Sequence, residues 1–186
     1  LLTKYTTWDK MTDKVVMFGQ GVSLTPIQTA MIYQAIANKG VRLSPILVDR
    51  CVDTSGSETK TTVPGSVRVL SESTAAQTLD MLEKVVEQGP IGKTARIAGY
   101  RVGGKTGTAQ IAEGKGYGYL HAVSFVGIAP IEDPQFVVAV TAYKSRTVSN
   151  SLGATPGFVA IMKQVLKTYK VPPSTTKSKK IPTEWK

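Results

Sequence analysis

The chain has 186 residues, 41% apolar and 19% charged, with 23 basic against 13 acidic side chains and a formal net charge of +10. That length supports one domain with a sizeable core, and no apolar run approaches the ~18 residues of a membrane-spanning helix. The positive charge is spread along the chain instead of forming one stripe with interleaved aromatics, so it reads as a solvated surface and not as a nucleic-acid footprint.

The opening LLTKYTTWDKMTDK has neither an initiator methionine nor a signal peptide, and reads as the interior of a larger protein. Next comes Phe18-Gly-Gln-Gly-Val-Ser-Leu-Thr-Pro-Ile-Gln28. Thr25 followed by Pro26 is a helix start, and Gln28 three residues after the cap completes a capping box. The helix continues with apolar residues at 27, 31, 32, 35 and 36 and stops at Asn38-Lys-Gly40.

Residues 41–52 predict a strand or two, bent at Pro45, and residues 53–64 are polar and turn-rich. Cys51, the only cysteine, cannot form an internal disulfide, and its apolar neighbours predict a structural thiol. A second helix is predicted over 71–88, with Ala75, Leu79, Leu82 and Val86 on one face, and Gly89-Pro90 closes it.

The stretch 101–110, RVGGKTGTAQ, sets Gly103, Gly104 and Gly107 around one cation, Lys105, and two hydroxyls, Thr106 and Thr108. Bare backbone beside a few donors suits an anion. Gly99-x-x-x-x-Gly104-Lys105-Thr106 fits the phosphate-binding P-loop pattern, which requires a helix from Thr106 onward. The next fifteen residues, GTAQIAEGKGYGYLH, include four glycines and no helical apolar spacing, so a strand is the better prediction. The pleat then sets Thr106 and Thr108 on one face and Lys105 on the other, with a stem long enough to reach a cleft at the strand edge.

Residues 121–129 and 135–143 predict two more strands, joined to the first by short connections as an antiparallel sheet. Residues 153–169 predict a closing helix that buries Phe158, Ile161, Val165 and Met162. The division is 1–170 as one domain part and 171–186, VPPSTTKSKKIPTEWK, as a linker or disordered end. One histidine and one cysteine seventy residues apart predict no metal site.

Taken in order, GQGVSLTPIQ with its helix, GGKTGTAQ, AVSFVGIAP, a strand and a closing helix resemble the class B penicillin-binding proteins over residues 18–169. The resemblance is closest to the cell-division and elongation transpeptidases of bacteria. It implies an α+β fold, an antiparallel sheet of five strands flanked by helices. It also implies peptidoglycan cross-linking by acyl transfer from a D-Ala-D-Ala stem peptide, and acylation of the same serine by β-lactams.

By that resemblance Lys105 is the motif lysine of the proton network and positive field. Thr106 and Thr108 take the substrate's terminal carboxylate, the Thr108 amide is an oxyanion donor, and Gly107 keeps the strand edge clear. The implied partners are stem peptides, β-lactams, the missing N-terminal part of the same protein and division or elongation membrane proteins. Nucleic acid is not among them, and no cofactor is implied. The implied place is the extracytoplasmic face of the cell membrane, through an anchor outside this chain.

The sequence also departs from the family pattern. Ser57-Glu-Thr-Lys60 and Ser174-Thr-Thr-Lys177 match the nucleophile motif Ser-x-x-Lys, but one lies in a polar turn and the other comes after the Lys-Thr-Gly strand. No Ser-x-Asn exists, so the nucleophile is expected upstream of Leu1. A β-lactam sensor module, a β-lactamase-like hydrolase and a P-loop nucleotide binder are the rival readings. His121 reads as strand-edge packing before a general base, and Tyr117 with Tyr119 reads equally as a substrate lid or an idle loop.

Overall fold

The computed structural model describes residues 8, 10–17, 19–90, 92–113, 116–145 and 151–182. The first seven residues and the last four, parts of the predicted opening and tail, lie outside them.

Helix α1 is short, Lys10–Val16, and no periodic signal announced it. Helix α2, Pro26–Ala37, starts as its caps dictate: Thr25 Oγ1 accepts from the Gln28 amide, and the Gln28 side chain accepts in return from the Thr25 amide at 2.9 Å. Such a box is worth about 1 kcal/mol to the helix. Strands β1, Val41–Arg42, and β4, Val67–Arg68, pair with each other, and β2, Arg50–Val52, pairs with β3, Glu58–Lys60. The second pair is a hairpin whose turn is held by Asp53 Oδ1, which accepts from the Ser55 and Ser57 amides at 2.8 and 2.9 Å.

Helix α3 runs Glu72–Gln88 behind an N-cap at Ser71, whose hydroxyl accepts from the Thr74 amide at 3.0 Å. Three long strands come next, β5 Gly103–Glu113, β6 Gly116–Ala129 and β7 Phe136–Ser145, and helix α4, Thr155–Thr168, closes the fold. The strands form an antiparallel sheet in the order β5-β6-β7, so among the described residues β5 is an edge strand.

The pleat divides the sheet's residues between two layers. On one side Phe125 meets Phe158 of α4 at 4.7 Å between ring centres, with Val86, Val102, Met162 and Leu166 buried around them. On the other side Ile128 and Ile131 pack with Ile36 of α2 and Leu82 of α3. Each fully buried side chain of this kind contributes about 1.5–3 kcal/mol.

Four expectations change. Helix α4 buries Phe158, Met162 and Leu166, while Ile161 is 47% exposed, because the sheet accepts the i, i+4, i+8 row. Cys51 is exposed, since no further strand among the described residues joins the two-stranded hairpin that carries it. The apolar face of α2 is only partly used, with Ala35 and Ile36 buried and Ile27 and Ile32 about half exposed. The tail is no loose end over 171–182: it has neither helix nor strand, yet hydrogen bonds tie it to α3 and to the start of β5.

Candidate active site

The candidate residues lie consecutively on β5. Lys105 pairs with Val126, Thr106 with Phe125, Gly107 with Ser124 and Thr108 with Val123. Partners directly opposite share a face, so Thr106 and Thr108 stand on the α4 side and Lys105 with Gly107 on the other, as the period-2 reading requires. Lys105 is exposed, and its ammonium donates to the Thr106 carbonyl at 3.0 Å and to Thr106 Oγ1 at 3.3 Å. To reach a hydroxyl on the opposite face, the side chain wraps around the free edge of β5. A cation and a hydroxyl therefore meet at the open edge of the sheet.

Gly107 continues that edge without a side chain. A Cβ there would come within 2.5 Å of Ser124 Oγ, so any larger residue displaces Ser124 or pushes outward into the space a ligand would use. Lys105 and Thr106 also line a groove of about 550 Å³ whose apolar walls include Met81, Val85, Pro90 and Ile181.

The charges behind the strand are already matched. Glu83 of α3 is fully buried, and Arg101 grips its two oxygens through Nε at 2.5 Å and Nη2 at 2.9 Å. Lys84 Nζ adds a third contact at 3.3 Å. Burial pushes the Glu83 carboxyl up, but hydrogen bonding and charge from Arg101, with help from Ser178 and Lys84, hold it below the usual glutamate value. The same carboxylate holds the Arg101 guanidinium above its ordinary value. Glu83 is thus occupied by Arg101 and Lys84, and the contacts described for the Lys105 ammonium are those to Thr106.

Other sequence candidates fall elsewhere. His121 pairs with Gln110 and Ser145 on β6, five residues from the partner of Lys105, which is about 16 Å along a strand. Tyr119 is almost fully exposed, and the Tyr117 side chain and residues 114–115 lie outside the described residues. Ser57 opens no helix: it sits in the hairpin turn, with Lys60 exposed on β3. Ser174 Oγ accepts from the Arg101 amide at 2.8 Å. Among the described residues no group of three or more potential metal ligands forms.

Strand β5 continues through Thr106 to Glu113, with a register shift between Gln110 and Ala112. A P-loop needs a helix there, so the nucleotide-binding reading is closed. Sequence reasoning missed the Glu83–Arg101 pair. Its one signal was an acid beside Leu82 and Val86, at the border of an apolar helix face, where a carboxylate needs a cation.

A helix-flanked antiparallel sheet with Lys-Thr-Gly on a strand that is an edge among the described residues is the arrangement that the sequence resemblance implies. Comparison places it further: residues 3–166 match the family described as the penicillin binding protein transpeptidase domain, and the chain belongs to that family. It is 34% identical over 184 residues to penicillin-binding protein PbpB of Mycolicibacterium smegmatis, covering 92% of this chain and 28% of that protein. Over 126 residues it is 44% identical to the stage V sporulation protein D of Bacillus subtilis, covering 66% of this chain and 19% of the relative. Among solved structures, penicillin binding protein 3 of Mycobacterium tuberculosis in complex with ampicillin superposes with a TM-score of 0.81 at 33% identity, over 95% of this chain and 42% of that one. A peptidoglycan synthetase from Bifidobacterium adolescentis gives 0.86 at 30% identity, over 100% and 34%. The chain thus spans less than a third of the length of these two curated relatives.

Proposed function

We propose that this chain is the Lys-Thr-Gly part of a peptidoglycan D,D-transpeptidase. In the reaction a serine oxygen attacks the carbonyl carbon of the penultimate D-Ala, the amide bond to the terminal D-Ala breaks, and an acceptor amine then takes the acyl group from the serine. Here the chain supplies recognition and electrostatics. Lys105 provides the cation, Thr106 and Thr108 bind the terminal carboxylate, and the Thr108 amide donates to the developing oxyanion. Gly107 lets an extended peptide lie along β5 as an added strand.

The observation that carries this reading is the Lys105 ammonium turned round the free edge of β5 onto the Thr106 hydroxyl. In this reading the serine and its lysine belong to sequence upstream of Leu1, and the protein sits at the outer face of the membrane through an anchor that is not in this chain. No helix among the described residues is long and apolar enough to cross a membrane.

The test is labelling with a fluorescent penicillin. The 186-residue chain alone is expected to stay unlabelled, and the same chain joined to its upstream sequence is expected to be labelled at one upstream serine. Covalent labelling of a serine within the chain would overturn the division of labour, and no labelling of the longer protein would overturn the transpeptidase reading.

A further inference from the structure

Residues 171–182 pass behind the start of β5 and then along α3, held by groups spaced over their whole length. Tyr100 Oη donates to the Val171 carbonyl at 2.7 Å, and the Ser174 amide donates to the Gly99 carbonyl at 2.8 Å. Lys84 Nζ donates to Ser178 Oγ at 3.2 Å. Gln88 takes both backbone groups of Ile181, donating to its carbonyl at 2.8 Å and accepting from its amide at 3.0 Å.

Two further links from the tail reach Arg101. Its Nε and Nη2 hold Glu83, its Nη1 donates to Thr176 Oγ1 at 3.0 Å, its amide donates to Ser174 Oγ, and its carbonyl accepts from the Ile131 amide at 3.0 Å. Helix α3, the tail and the segment leading to β7 are thereby joined at one residue.

The strand that begins just after Arg101 opens on two glycines and meets α3 at Gly103. Gly103 and Gly104 lie flush against their neighbours, and a Cβ at either would come within 2.6 Å of Ile131 Cδ1 or Phe125 Cζ. Close approach to the α3 backbone at Glu83 and Leu82 is gained, but the two glycines bring no side chain of their own to that contact. The ladder to β6 secures β5 from one side only. On the other side, beside the packing of Gly103 on α3, the polar link is Arg101, four residues before Lys105.

We propose that Arg101 is a positioning residue for Lys105, and that residues 171–182 are a strap that locks Arg101 and the outer side of β5 against α3. The strap ends at the site itself: Ile181 lines the same groove as Lys105 and Thr106. The effect on catalysis rests on the transpeptidase reading. The effect on the strand does not.

The test uses the whole protein that carries this chain. One variant ends at Pro173, which keeps Val171 against the core, and a second is Gln88→Leu, which releases Ile181. Amide exchange over 103–108 is compared with exchange over 123–128, alongside the single-turnover acylation rate with a penicillin. Both variants are expected to speed exchange over 103–108 by about tenfold while leaving 123–128 unchanged, and to slow acylation by about tenfold. Arg101→Lys, which keeps the charge but not the fork, is expected to behave as the truncation does. Unchanged exchange at 103–108 overturns the strap. So does equal acceleration in both segments, which would be general loosening. Faster exchange with an unaltered acylation rate overturns the positioning role. If the parent protein is not acylated at all, the transpeptidase reading falls and the exchange comparison alone decides the strap.

Discussion

The ion pair beneath the strand gives the sharpest test of the physical account. Glu83 has no exposed side-chain surface and Arg101 has 21% exposed, so Arg101→Ala leaves a buried carboxylate without its main partner. Breaking such a pair from one side costs about 3–5 kcal/mol when nothing replaces it. Here Lys84 Nζ, 3.3 Å away and itself 8% exposed, still contacts one oxygen, which lowers the expectation to about 2–4 kcal/mol. For a domain of this size that is a fall in Tm of roughly 6–12 °C. Glu83→Met should cost less, because Arg101 retains a path to solvent, and the double variant Glu83→Met/Arg101→Met should come back towards the parent. Chemical denaturation of the parent, Glu83→Met, Arg101→Met and the double variant closes the cycle, with an expected coupling of about 1–3 kcal/mol. Arg101→Ala within about 0.5 kcal/mol of the parent, or an additive cycle, would refute the reasoning.

The same pair sets a pH dependence. The Glu83 carboxyl is held below its ordinary value of 4.5, so in acid the unfolded chain binds the proton first. Its stabilisation is complete above about 4.5 and is lost as pH falls through the lower folded value. The parent should therefore lose stability more steeply than Glu83→Met as pH drops below that point. Parallel curves would deny Glu83 this role.

Two further expectations concern the edge of β5. Lys105→Ala removes an exposed side chain whose bonds among the described residues go to its neighbour Thr106, so Tm should move by no more than about 2 °C while penicillin acylation of the whole protein falls a few hundred-fold, the equivalent of about 3–4 kcal/mol. An acylation rate within about threefold of the parent removes Lys105 from the mechanism. Thr108→Val should weaken reaction with a carboxylate-bearing β-lactam and spare its ester, and equal loss with both compounds would reject the carboxylate role.

How far the sequence could be read depended on what kind of contact fixed each element. The α2 start was legible because a capping box is local chemistry, complete within residues 25–28. The split of Lys105 from Thr106 and Thr108 was legible because a pleat has period 2 in any strand. Helix α4 was legible as a helix but not in its facing, since FVAIMKQVL offers two adjacent apolar rows and only the sheet chooses between them. Cys51 misled because apolar neighbours in sequence do not supply a covering layer. The strap was hidden for a further reason: periodicity detects apolar faces, and residues 171–182 are held by hydroxyls and backbone groups.

In the proposed function, those contacts let a glycine-rich strand serve as a recognition edge. A strand that presents its backbone to a peptide must leave that edge unpaired and clear of bulk, and both conditions weaken it. Side chains on one face alone cannot surround an anion, so the cation must come around the edge to meet the hydroxyls of the other face. Lys105 does so, and Gly107 leaves the path open. A strand built this way needs its stability from behind. Glu83, Arg101 and the strap supply that hold on the outer side, where no further strand among the described residues can. The buried charge pair and the polar tail are therefore the structural counterpart of the exposed Lys-Thr-Gly edge.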